Sequence, residues 1–94
     1  MTHLREAGPD KVTSMAGMPV MLWLAQGALR AECGTVEIEV IKSGEKYRGP
    51  IGGRNSRDDF FGYSGMEWNE EPTADEFEAY VMRVLELLSR DGRL

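Results

Sequence analysis

Residues Gly34–Ile51 read GTVEIEVIKSGEKYRGPI. Val36, Ile38 and Val40 alternate with Glu37 and Glu39. A period of two predicts a strand with one buried face and one wet face. Ser43-Gly44 then offers a two-residue turn, and its glycine accepts the positive φ of a primed hairpin. Glu45–Ile51 runs back antiparallel.

The residues just before this hairpin, 18–33 (MPVMLWLAQGALRAEC), have two readings. Over 19–32 a helix is possible, with Pro19 in its first turn and Gly34 just past its end. Read as strands, Gln26-Gly27 and Gly34-Thr35 become turns, and register follows by counting. Leu24 then faces Leu29, Leu22 faces Ala31 and Val20 faces Cys33. Across the next turn Cys33 faces Val36, Ala31 faces Ile38 and Leu29 faces Val40. Beyond Ser43-Gly44, Val40 faces Tyr47, Ile38 faces Gly49 and Val36 faces Ile51. Directly opposite residues share a face of a sheet. One face therefore collects Val20, Leu22, Leu24, Leu29, Ala31, Cys33, Val36, Ile38, Val40, Tyr47 and Ile51. The other holds Met21, Trp23, Arg30, Glu32, Glu37, Glu39, Ile41, Lys46 and Arg48, with Arg30 and Arg48 flanking Glu39. A one-residue slip would scramble both sets, so the consistency of the pattern favours strands.

Residues 1–17 lack a clear period. Gly8-Pro9 breaks the chain and Asp10 is placed to cap a short helical turn, so these residues are expected to be an irregular, mobile arm. Residues 52–59 (GGRNSRDD) read as a loop. Phe60–Asn69 reads as a second hairpin about Ser64-Gly65, with Tyr63 facing Met66 and Phe61 facing Trp68. Thr73 followed by Glu76 is a capping box, with Pro72 just before it. From there Phe77, Tyr80, Val81, Val84, Leu85, Leu87 and Leu88 form one helical stripe. Gly92 supplies the stop. The predicted fold is α+β: an antiparallel meander of four to six short strands between residues 19 and 69, packed on one face by a helix over about 74–90. All 94 residues form one domain in this reading.

Composition narrows the functional classes. Net charge is −5. Residues 1–54 carry seven Lys/Arg and six Asp/Glu, a balance of +1, and residues 55–94 carry four and ten, a balance of −6. Acidic surface repels phosphates, which disfavours direct nucleic-acid binding and favours a protein partner with a basic surface. No apolar run is long enough to span a bilayer, and no signal peptide is evident. A single cysteine, Cys33, permits no internal disulfide and suits a reducing cytoplasm.

Catalytic chemistry finds few candidates. His3, the sole histidine, stands in the N-terminal arm without a partner nearby in sequence. Cys33 falls on the inward face as a small apolar residue. One histidine and one cysteine cannot build an N/S zinc site, and the acids of 58–71 lack the spacing of a calcium loop. Gly49–Arg57 (GPIGGRNSR) resembles an anion nest but matches no phosphate-binding fingerprint. The expectation is no enzyme, no cofactor and no metal.

The most suggestive stretch is Asp58–Glu71, DDFFGYSGMEWNEE, which interleaves aromatics with acids. Such a mixture suits capture of an Arg- or Lys-bearing partner. Asp58, Asp59, Phe61, Tyr63, Glu67, Trp68, Glu70, Glu71 and Asp75 are the expected partner-binding residues, with Trp23, Glu37 and Glu39 on the open sheet face as secondary candidates. Small acidic chains without catalytic residues are common among inhibitors such as phage anti-CRISPR proteins, DNA mimics and toxin-immunity proteins, a class-level analogy only. The leading expectation is an inhibitor that occludes a basic, nucleic-acid-handling protein. The alternatives are a homo-oligomeric protein using the open sheet face and, behind it, a small phosphate-ligand domain. The chain itself is expected to be a monomer or homodimer.

Overall fold

The computed structural model describes residues 8–55 and 57–94. Seven antiparallel strands precede one helix: β1 (Lys11–Met15), β2 (Met18–Trp23), β3 (Arg30–Cys33), β4 (Val36–Glu39), β5 (Ile41–Ser43), β6 (Lys46–Arg54), β7 (Phe60–Trp68) and α1 (Ala74–Arg90). β4 pairs with Ile51 and Gly52 of β6, and β5 pairs with Lys46–Arg48. β7 pairs along most of the same strand. Residues of β6 thus have β4 or β5 on one edge and β7 on the other. β4 and β5 act as one strand interrupted at Val40, and the sheet is an α+β meander in chain order.

The helical alternative for 19–32 gives way to β2 and β3. Leu22 pairs with Ala31, and Cys33 with Val36, as counted from the turns. The Gln26-Gly27 turn closes with Ala28 N–H donating to Ala25 O at 2.9 Å. The next hairpin differs from expectation. Its loop is Gly44-Glu45, since Ser43 pairs with Lys46. Ile38 consequently faces Ile51 rather than Gly49. The shift is by two residues on the partner strand, so parity survives and each side chain keeps its face. Arg48 now faces Ile41 instead of flanking Glu39.

Three further expectations are corrected. Residues 11–15, read as part of an irregular arm, form the edge strand β1, joined to β2 by an Ala16-Gly17 turn with φ of 53° and 80°. Positive φ at both central residues is the type I′ signature. Residues 1–7, with His3, lie outside the described residues. The 52–59 loop starts later, because β6 continues through Gly52, Gly53 and Arg54. Finally, Phe60–Trp68 is one nine-residue strand and not a hairpin.

Ser64-Gly65 is a β-bulge in that strand. Gly49 pairs with Met66 and Ile51 with Tyr63, so Ser64 and Gly65 together oppose Pro50. Proline has no N–H to give the ladder, and sheets accommodate it at such irregularities. The extra residue flips the alternation. Phe61 and Tyr63 before the bulge, and Met66 and Trp68 after it, all end on the helix side.

One core sits between sheet and helix. Val20, Leu22, Leu29, Ala31, Cys33, Val36, Ile38 and Ile51 from the sheet meet Phe77, Val81, Leu85 and Leu88 from α1. The capping box is present: Thr73 Oγ1 accepts from Glu76 N–H at 3.1 Å, and Glu76 Oε1 accepts from Thr73 N–H at 2.9 Å. Thr73→Ala is expected to cost about 1 kcal/mol, read as a lower midpoint in urea unfolding with an unchanged slope.

Candidate functional site

The structure distributes the predicted partner-binding residues over three places. Asp58 and Asp59 lie in the β6–β7 loop. Glu70, Glu71 and Asp75 lie at the far end of β7, in the linker to α1 and its first turn. About 30 Å of strand separates the two groups. Phe61, Tyr63 and Trp68 project to the helix side, while Glu67 stands on the open face beside Lys46 and Arg48.

Several of these acids are already engaged. Glu67 is 3.3 Å from Lys46 and 3.2 Å from Arg48. Asp58 pairs with Arg54 at 3.3 Å. Asn55 Oδ1 accepts from Asp59 N–H, which ties down the loop. Glu71 accepts from Gly27 N–H at 2.5 Å, and Gln26 Nε2 donates to Pro72 O. Pro72 is fully buried, so the linker is pinned to the β2–β3 turn.

The aromatics split as well. Trp68 is half-buried, edge-on to Tyr80 at 5.1 Å. The Tyr80 hydroxyl donates to Gly49 O at 2.6 Å and accepts from Met66 N–H at 3.1 Å. Burial pushes the Tyr80 phenol above its ordinary value, and the Met66 N–H works the other way. Phe61 and Tyr63 lie beside Arg93, which also donates to the Tyr63 hydroxyl.

On the open face Val12 lies opposite Met21 across the β1–β2 ladder. The Arg30 guanidinium lies 4.2 Å over the Trp23 ring and pairs with Glu32 at 3.0 Å. Arg54 stacks on Phe60 at 3.8 Å. Glu37 and Glu39 are exposed between them. The glycine-rich 49–57 stretch is mostly strand, and Arg54 is engaged with Asp58 and Phe60 rather than turned toward an anion.

What the fold does assemble is an acidic end. The Gly44-Glu45 turn and the start of the linker, residues 69–71, meet there, and α1 begins just beyond. A recess of about 500 Å³ is lined by Lys42, Gly44, Glu45, Tyr47, Asn69, Glu70 and Glu71. Asp75 and Glu76 follow on the helix. Glu45, Glu70 and Glu71 thus line the recess against Lys42, with Asp75 and Glu76 next along the chain on the helix, while Lys46 is drawn to Glu67. Sequence reasoning missed Glu45, because its position beside Glu70 depends on the Gly44-Glu45 turn and on β7 being a single strand. The helix N-terminus is itself a partial positive charge, which eases the crowding of acids.

Cys33 is buried, and burial pushes its thiol up from the ordinary value. No three or more metal-ligating side chains come together among the described residues, and no helix among them is long and apolar enough to cross a membrane. Comparison with protein-family models, characterised proteins and solved structures finds no match.

Proposed function

We propose that this chain is a small acidic, non-enzymatic protein-binding module: an inhibitor that occludes a basic, nucleic-acid-handling protein of the cytoplasm. Its acidic end stands where phosphates would sit on that partner. The observation that carries this reading is the charge of that end. Glu45 and Glu70 have no ion-pair or hydrogen-bond partner among the described residues and line a recess wide enough for an arginine or lysine side chain, and Asp75, likewise unpaired, stands in the first turn of α1. Unpaired carboxylates give up less on meeting a cation than carboxylates already committed to Lys or Arg, which must first exchange partners. The acids of 58–71 therefore divide. Glu70 belongs to the binding end with Asp75 and the added Glu45, and Asp58 and Glu67 are neutralised elsewhere.

The test is affinity capture at low salt, followed by titration of the captured partner against increasing sodium chloride. Affinity is expected to fall steeply with salt. Reversing Glu45, Glu70 and Asp75 to Lys is expected to weaken it roughly tenfold or more, and reversing Asp58 and Glu67 to leave it nearly unchanged. Binding that ignores salt, or that survives the first triple reversal, would end this reading.

A further inference from the structure

Three features of the open sheet face meet at one place, and none of them serves the chain's own packing. The first is a bare floor. Gly52 of β6 lies directly opposite Gly62 of β7, so two adjoining ladder positions carry no side chain. Gly52 has no internal need of glycine: its φ is not positive, and a Cβ there would meet no atom within 4 Å. Such a glycine in a strand interior fits close approach by a ligand.

The second feature is an uncompensated charge. Glu37 stands between Gly52 on one side and Glu32 on the other, and like charges directly opposite are destabilising. The nearby cations are committed elsewhere. Arg30 pairs with Glu32 at 3.0 Å, and Arg54 pairs with Asp58 at 3.3 Å. With Arg57 set against Asp59 in the adjoining loop, the region keeps two negative charges, those of Glu37 and Glu39. Neither has an ion-pair partner among the described residues. The third feature is Phe60, which stays 76% exposed although the Arg54 guanidinium covers it at 3.8 Å. A cavity of about 350 Å³ joins all three, lined by Thr35, Glu37, Gly52, Arg54 and Phe60 among others. Its wall is fixed, since Thr35 Oγ1 accepts from Arg54 N–H at 3.3 Å and donates to Arg54 O at 2.9 Å.

We propose that this cavity is a second docking point, which receives an arginine side chain of a partner protein. Charge selects a cation, because Glu37 is the carboxylate that the sheet leaves without one. Shape selects arginine. A planar guanidinium lies flat over the bare peptide groups of Gly52 and beside the Phe60 ring, while its fork meets the Glu37 carboxylate. An ammonium is a more strongly hydrated point charge and gains less from a flat floor. Gly52 lies roughly 20 Å along β6 from the Gly44-Glu45 turn, so one basic surface can engage both places with separate side chains. The proposal rests on the reading of the chain as a binder of a basic protein, but it uses none of the carboxylates of the acidic end.

Titration of the isotope-labelled full chain with the peptide acetyl-Gly-Arg-Gly-amide, followed by amide chemical shifts, tests it. The amides of Glu37, Gly52 and Gly53 are expected to shift and saturate at millimolar peptide. The matching lysine and citrulline peptides should bind roughly fivefold or more weakly. Gly52→Val fills the floor without changing charge, and Glu37→Gln removes the charge without changing shape. Each should raise the dissociation constant roughly fivefold or more while the circular dichroism stays unchanged. Shifts that fail to saturate, that the lysine or citrulline peptide reproduces, or that persist in Gly52→Val or in Glu37→Gln overturn the proposal. Shifts at the amides of Glu45 and Glu70 report separately on the acidic end, so either place can fail while the other stands.

Discussion

Replacing Gly65 by alanine is expected to lower the melting temperature by roughly 15 °C, equivalent to about 3 kcal/mol in a chain of this size. Gly65 sits at φ +76° in the bulge of β7. Left-handed backbone costs a residue with a Cβ about 1–2 kcal/mol. The rest comes from collision. A Cβ at this position would run into Gly49 O, with the Gly49 carbonyl carbon at 2.5 Å and the Tyr80 hydroxyl at 2.6 Å. Two of those obstacles are backbone, which cannot swing aside. The bulge would have to open, and the pairing of Met66–Trp68 with β6 would go with it. Thermal unfolding followed by far-ultraviolet circular dichroism measures the loss. Gly62→Ala, three residues earlier in the same strand, is the control and should change stability by less than about 1 kcal/mol.

Tyr80→Phe is expected to cost about 2 kcal/mol, roughly 10 °C in melting temperature. The lost hydroxyl fills the gap that the bulge leaves in the β6–β7 ladder, serving Gly49 O and Met66 N–H together. Phenylalanine keeps the ring against Trp68 but leaves a backbone acceptor and a backbone donor without their partner. The deficit should depend on pH. Burial raises the Tyr80 phenol above its ordinary 10.0, so the folded state holds this proton more tightly than the unfolded chain. The stabilisation is complete below pH 10 and is lost as pH climbs through the folded value. Above pH 10 the difference between wild type and Tyr80→Phe should therefore shrink. Cys33 behaves alike from its ordinary 9.0, but in both proteins, and cancels from the comparison. Gly65→Ala and Tyr80→Phe disturb one node, so their combined cost should fall short of the sum.

Much of this fold was legible because alternation survives small errors of register. The turn after β5 sits one residue later than Ser43-Gly44 suggests, yet Val36, Ile38 and Ile51 still face the helix, since the slip conserves parity. α1 was legible from its capping box and stripe. β1 was not. Its inward positions are Lys11, Thr13 and Met15 while Val12 points outward and is 60% exposed, so its hydropathy pattern is blank or inverted. The bulge was misread because a glycine at positive φ serves a hairpin turn and a bulge equally well. Only the nine-residue length of β6, with Pro50 at its middle, distinguishes the two. That one misreading carried into the site. A hairpin would have folded Asp58 and Asp59 back against Glu70 and Glu71, whereas a continuous strand sends them to opposite ends. Glu70 and Asp75 remain in the acidic end, and the aromatics go to the helix side.

The meander also shapes the route by which the chain folds. With β4 and β5 counted as the one interrupted strand, every ladder joins strands that follow one another in sequence, so each hairpin closes over a short loop and loses little chain entropy in forming. The helix is the exception. Its Glu78 reaches back to Lys11 on β1, 67 residues away, at 2.7 Å. Local zippering can therefore build most of the sheet quickly, with its apolar face bare until α1 arrives and closes the chain into a ring of contacts. Docking of α1 is then the step at which hairpins of marginal individual stability become one cooperative unit.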